Sequence, residues 1–249
     1  MRNLLIASVA GALAVCATAG LEAAEWGNLT GKFVFDGTAP APVKLKIDKD
    51  PACCTVKHDD ESLVVGPDGG IANVVIYVRT AKVPVAPEYE ADAKAELKFD
   101  NKTCRFEPHI LPIRLSQTLD VANSDNCGHN TNVTPLGDQA FNQLLAPNSN
   151  LKHQFKRQQN IPIKVVCNIH PWMVGYILPR ENPYTAVSGA DGSFTLKNLP
   201  AQELEFQVWQ EKAGFVDTPK WPKGKFKLKI KAGENDLGTV KIPAALFKK

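Results

Sequence analysis

Apolar and polar positions alternate along most of this chain, and that alternation predicts strands. Leu29-Thr30-Gly31-Lys32-Phe33-Val34-Phe35-Asp36 alternates and is closed by Gly37. Asp191-Gly192-Ser193-Phe194-Thr195-Leu196-Lys197-Asn198-Leu199-Pro200 reads as turn, strand, turn. Residues 72–78, apolar but for Asn73, show the pattern of a strand buried on both faces. Residues 204–209, 226–230 and 237–242 predict further strands, and the β-branched run at 161–166 another. No segment sustains a helical period, although residues 84–95 leave room for one short helical turn. Residues 48–61 are polar, carry Cys53 and Cys54 side by side, and read as a loop. The predicted fold class is all-β.

The first 24 residues read as an export signal: Arg2 gives a positive start, residues 4–15 are apolar, and small residues lead to cleavage after Ala24. The apolar stretch is too short to span a bilayer. Cys16 follows Val15, a poor context for lipidation. The expected mature chain is therefore soluble and periplasmic, or otherwise exported, with no membrane span. A net charge of +3 is too small to point to nucleic acid. Lys223, Lys225, Lys227, Lys229 and Lys231 alternate onto one strand face, which reads as edge protection, with an acidic docking partner as the alternative.

Cysteine usage narrows the chemistry. Signal removal leaves Cys53, Cys54, Cys104, Cys127 and Cys167. In an oxidising compartment thiols pair unless a metal claims them, so an odd count suits one reserved thiolate. Cys167 is that candidate. Cys53 or Cys54 is expected to pair with Cys104, leaving Cys127 for the other.

Cys167-Asn168-Ile169-His170-Pro171-Trp172-Met173 places a thiol, an imidazole and a thioether within one loop. Copper favours such ligands, and a plane of two His and one Cys with a weak axial Met is the blue-copper arrangement. Structural zinc takes four strong ligands without a thioether. The second histidine must come from elsewhere, and His129 follows the turn Asn123-Ser124-Asp125-Asn126-Cys127-Gly128. His109 is the rival, expected at the opposite end of the His129 strand. Cys127 is itself close enough in sequence to His129 to approach a metal if it is not paired. His58-Asp59-Asp60-Glu61 is expected to be a solvated loop.

The loop C-x-x-H-x-x-M, with Pro171 after the histidine and Trp172 before the methionine, resembles that of amicyanin among the cupredoxins. Phe106-Glu107-Pro108, Ile113, Leu119, Val121, Asn123 and His129-Asn130 are similar to the family's first-histidine half, and the likeness covers roughly residues 94–180. Ser116-Gln117 stands where the family usually has Gly-Asp. The resemblance implies a Greek-key β-sandwich holding one type 1 copper on His129, Cys167, His170 and Met173. It further implies that Asn130 ties the two ligand loops together and that the loop histidine is partly exposed in an apolar patch containing Trp172. Pro171 stiffens the loop because its ring fixes φ.

The D-G-x-F-x-L-x-x-L-P run resembles the carboxypeptidase regulatory-like, transthyretin-like β-sandwich, although Gln202 replaces a glycine common there. Residues 25–93 and 181–249 are expected to form this second, small sandwich around an inserted cupredoxin unit at 94–180; three consecutive pieces are the alternative layout. The implied function is single-electron transfer between periplasmic redox proteins, such as a dehydrogenase or a c-type cytochrome. The alternative is a non-redox binding or structural module with a structural or copper-storage site. An enzyme is not expected, since no Ser/His/Asp set or paired carboxylates are evident.

Overall fold

The computed structural model describes residues 25–248. The expected export segment, with Cys16, lies outside the described residues. Among the described residues seventeen strands follow one another: β1 (Trp26–Asp36), β2 (Val74–Val78), β3 (Glu96–Lys102), β4 (Arg105–Glu107), β5 (Ile110–Arg114), β6 (Thr118–Asn123), β7 (His129–Val133), β8 (Phe141–Leu145), β9 (Asn150–His153), β10 (Ile163–Val166), β11 (Val174–Arg180), β12 (Thr185–Val187), β13 (Ser193–Pro200), β14 (Glu203–Gln210), β15 (Gly214–Phe215), β16 (Lys225–Lys229) and β17 (Gly233–Pro243). The helical content of the described residues is single-turn 3₁₀ segments, one of them Pro87–Tyr89. The fold is all-β. No helix among the described residues is long and apolar enough to cross a membrane.

The middle strands make two facing sheets, β5-β11-β10-β7-β8 and β4-β3-β6-β9. Phe99, Leu119 and Val121 from one meet Val133, Val165 and Ile177 from the other, with Cys167 and Met173 in the same core. The remaining strands pair among themselves, as β13-β1-β17 and as a sheet built on β12-β2-β14, to which β15 and β16 add. Their core brings Leu29, Phe33 and Phe35 of β1 against Ile76, Val78 and Phe206. Phe33 and Phe194 stack there at 4.8 Å between ring centres. Each such fully buried apolar side chain stabilises the fold by roughly 1.5–3 kcal/mol.

The two sheet pairs meet through a third apolar cluster. Val75 and Tyr77 of β2 and Trp209 of β14 pack on Ile110, Tyr176 and Leu178 of β5 and β11. This explains why β2 is buried along its whole length. Its neighbours β12 and β14 are both antiparallel, so double burial comes from the sandwich of β5 and β11 packed on its outer face and not from a parallel sheet. Among the described residues the lysine-rich strand β16 pairs only with β14 and forms a sheet edge, with Lys227 and Lys229 exposed.

Candidate metal centre

The ligand loop is the turn between β10 and β11, which pair in antiparallel register from Ile163↔Ile177 to Val166↔Val174. The pairing brings the loop ends together: Cys167 N–H donates to the Met173 carbonyl (3.3 Å), and Met173 N–H donates to the His170 carbonyl (2.9 Å). His170 N–H also donates to Cys167 Sγ at 3.4 Å. β7 pairs with β10 and carries His129 at its start and Asn130 beside it. Asn130 Oδ1 accepts the N–H of Asn168 at 2.7 Å and of Ile169 at 3.3 Å, and lies 3.4 Å from Cys167 Sγ.

His129, Cys167 and His170 converge, with their ligand atoms mutually within 4.8 Å and all three residues buried. The two Nδ1 atoms are 2.9 Å apart, and His170 Nδ1 is 3.7 Å from Cys167 Sγ. Met173 is fully buried in the core that also holds Cys167. Each imidazole turns its other nitrogen to a carboxylate: His129 Nε2 to Asp125 Oδ2 at 2.9 Å and His170 Nε2 to Asp50 Oδ2 at 2.7 Å. An ionised carboxylate only accepts hydrogen bonds, so it places the ring proton on Nε2. Both Nδ1 lone pairs then face each other beside a sulfur, away from water.

Three electron-pair donors in that position repel one another unless a cation lies among them, and a proton serves in the metal-free chain. Burial lowers the His129 pKa, but hydrogen bonds to Asp125 and Cys167, and their charges, outweigh it and push the pKa up to about 9. Burial pushes the Cys167 thiol up, yet hydrogen bonding with His129 and then with backbone amides brings its pKa below the usual value. Burial foremost lowers the His170 pKa, while Asp50 opposes that shift. One thiolate and two neutral imidazoles offering lone pairs suit copper. The donor set therefore fits the implied metal.

The other sequence expectations fare differently. Cys53 is bonded to Cys127 and Cys54 to Cys104, and among the described residues Cys167 is the free thiol. Cys127 Sγ approaches His129 at Nε2 (3.6 Å), the nitrogen turned away from the other donors. His109 is not at the far end of the strand framework. Its carbonyl accepts Tyr176 N–H, and it shares a small cavity with Pro171 and Trp172, but its ring is committed to Glu211 (2.8 Å). His58 is buried and bonded to the Thr103 carbonyl at 2.6 Å, so this stretch is not a solvated loop.

The expectation of a partly exposed loop histidine is corrected: His170 has no exposed surface. The segment carrying Asp50, Cys53 and Cys54 covers it. Trp172 is half-buried, its ring centre 5.1 Å from that of His170, and its indole N–H is spent on the Cys104 carbonyl (3.1 Å). Sequence reasoning did not single out Asp50 or Asp125. Asp125, four residues before His129, carried a local signal; Asp50, 120 residues from His170, carried none.

No family model and no curated protein matches the chain. Solved structures of cupredoxins do. A copper-containing nitrite reductase from Thermus scotoductus SA-01 is 22% identical with a TM-score of 0.32 over 34% of this chain, and the match spans only 22% of that protein. A purple cupredoxin from Nitrosopumilus maritimus is 23% identical with a TM-score of 0.29, covering 35% of this chain and 100% of that one. The reduced Cu(I) form of an amicyanin point mutant is 19% identical with a TM-score of 0.31, covering 42% of this chain and 98% of that one.

Proposed function

We propose that this is an exported type 1 copper protein that passes single electrons between periplasmic redox partners, such as a dehydrogenase or a c-type cytochrome. The observation that carries the reading is the meeting of His129 Nδ1, His170 Nδ1 and Cys167 Sγ at one end of a β-sandwich. Bound copper would supply one-electron chemistry by cycling between Cu(I) and Cu(II). The chain's part is to keep the donors still. Asn130 pins the loop backbone, Pro171 stiffens it, and the carboxylates hold the rings. His129, Cys167, His170 and Met173 would bind the metal. Those four ligands leave no open position for a substrate, so we read a carrier and not an enzyme.

In this reading residues 94–180 are the cupredoxin unit, inserted between the halves of a regulatory-like sandwich at 25–93 and 181–249. Both disulfides suit an oxidising, exported setting. Loading the mature chain with Cu(II) tests the proposal. An intense thiolate-to-copper band with narrow hyperfine splitting is expected, and Cys167→Ser should abolish it. A colourless protein, or a band that survives the substitution, overturns it.

The burial of His170 favours a second reading, in which the copper is structural or stored. Reversible voltammetric cycling supports the carrier; copper-dependent stability without electron exchange supports storage.

A further inference from the structure

Residues 38–62 leave the end of β1 and lie across the ligand end of the neighbouring sandwich. The segment doubles back on itself, Leu45 N–H donating to the His58 carbonyl and Asp60 N–H to that of Val43. Two disulfides then fasten it: Cys54 to Cys104, beyond β3, and Cys53 to Cys127, two residues before His129. Asp50 sits at the turn. Its φ is +47°, and its carbonyl accepts the N–H groups of both Cys53 and Cys54 at 2.8 Å. Fixing that turn fixes where the Asp50 side chain points, which is at His170 Nε2, 2.7 Å away.

Asp125 holds His129 from the same loop that carries the histidine, and it is pinned by the N–H groups of Thr103 (2.6 Å) and Cys104 (2.8 Å). His170 has no such local partner. Its orienting carboxylate comes from the other sandwich, through a loop that the two disulfides secure.

We propose that Asp50 is a positioning residue for the copper centre, fixing the ring and tautomer of His170 and closing its solvent edge. This rests on the copper reading above. A carboxylate bonded to the outer N–H of a metal-bound imidazole makes the ring a stronger donor. It therefore favours Cu(II) over Cu(I), because the more highly charged ion gains more from it. The Asp50 side chain is about half exposed, at 49%, so water screens part of that effect. Its second consequence is steric: partners reach the centre by a route other than the His170 edge unless the segment opens.

The test compares wild type, Asp50→Asn and Asp50→Ala in the full mature chain. Asparagine tolerates the left-handed backbone and keeps an acceptor while removing the charge; alanine removes both. The copper-loaded variants should keep the thiolate-to-copper band, since Cys167 is untouched. Loss of such an outer partner costs about 10–100-fold in metal affinity. We expect the preference for Cu(II) over Cu(I) to fall about tenfold in Asp50→Asn, a rise in potential of about 59 mV for one electron.

In the metal-free chain, the His170 Nε2–H proton should be protected from solvent exchange in wild type and lose that protection in Asp50→Ala. Unchanged potentials or unchanged exchange overturn the proposal. If wild type forms no thiolate band at all, the copper reading fails. The exchange measurement then decides by itself whether Asp50 holds His170.

Discussion

Asn130 reaches across from β7 to accept the Asn168 N–H at 2.7 Å, so the first-histidine strand clamps the loop that carries Cys167 and His170. Its amide nitrogen is spent on Asn142 at 2.6 Å, which sets which way the side chain points.

Asn130→Ala should therefore loosen the ligand loop without emptying it. Two backbone N–H groups lose their acceptor. Asn168 is exposed and recovers water, whereas Ile169 is half-buried and recovers less. The expected loss is about 1–3 kcal/mol in urea denaturation of the metal-free chain. Faster amide exchange at Asn168 and Ile169 should accompany it; unchanged exchange would show that Asn130 does not hold the loop.

Gly175, two residues after Met173, marks a different constraint. A Cβ there would lie 2.9 Å from Phe99 Cζ, 3.0 Å from Phe106 Cβ and 3.2 Å from the His109 carbonyl. Phe99 and Phe106 are stacked at 5.1 Å and fully enclosed, so neither has room to retreat. Gly175→Ala should destabilise the fold by about 1–3 kcal/mol through overpacking. It should also shift the start of β11 and so weaken copper retention, read as a lower thermal midpoint and faster metal loss to a chelator.

The ligand loop was legible because its donors are contiguous and chemically specific. Strands such as β13 were legible because they bury alternate residues, here from Ser193 to Lys197. Other features depend on residues far apart. Cys53 and Cys54 are adjacent yet reach different partners, and sequence does not say which goes where. The cover over His170 arises from a loop tied down by bridges across 50 and 74 residues. The double burial of β2 was expected, but its cause, the sandwich of β5 and β11 against its outer face, is a tertiary fact without a local signal.

The two bridges should not contribute independently. Each alone closes a long loop and is worth about 2–5 kcal/mol, largely by restricting the unfolded chain. They leave from neighbouring residues, so the first already confines the segment that the second secures. Cys54→Ala with Cys104→Ala, and Cys53→Ala with Cys127→Ala, should each lower stability within that range. Removing all four should cost more than the sum of the two single removals, because whichever bridge remains still confines the shared segment. Strict additivity in denaturant midpoints would refute the shared-segment picture.

Tyr77 predicts how the two sandwiches respond to alkali. It is fully buried, its hydroxyl 2.5 Å from the Asn160 carbonyl and 2.8 Å from Gln207 Oε1, with the Arg180 guanidinium 4.8 Å from its ring centre. Burial pushes its pKa up to about 12, against smaller opposing effects of Arg180 and Arg79. The folded chain therefore holds this proton more tightly than the unfolded chain, whose tyrosine titrates near 10. The resulting stability is fully present below pH 10 and is lost as pH rises through about 12. The shift corresponds to on the order of 2–3 kcal/mol for this enclosed group. Tyr77→Phe should lower stability at pH 8 by about 0.5–1.5 kcal/mol, since it removes the hydrogen bonding of the hydroxyl with the Asn160 carbonyl and Gln207 Oε1. It should also flatten the decline between pH 10 and 12. The decline should not vanish, because burial pushes Tyr184 up to about 12 as well. Denaturation midpoints at pH 8, 10 and 11.5 separate the two effects, and an unchanged alkaline slope in Tyr77→Phe would mean that another group controls the transition.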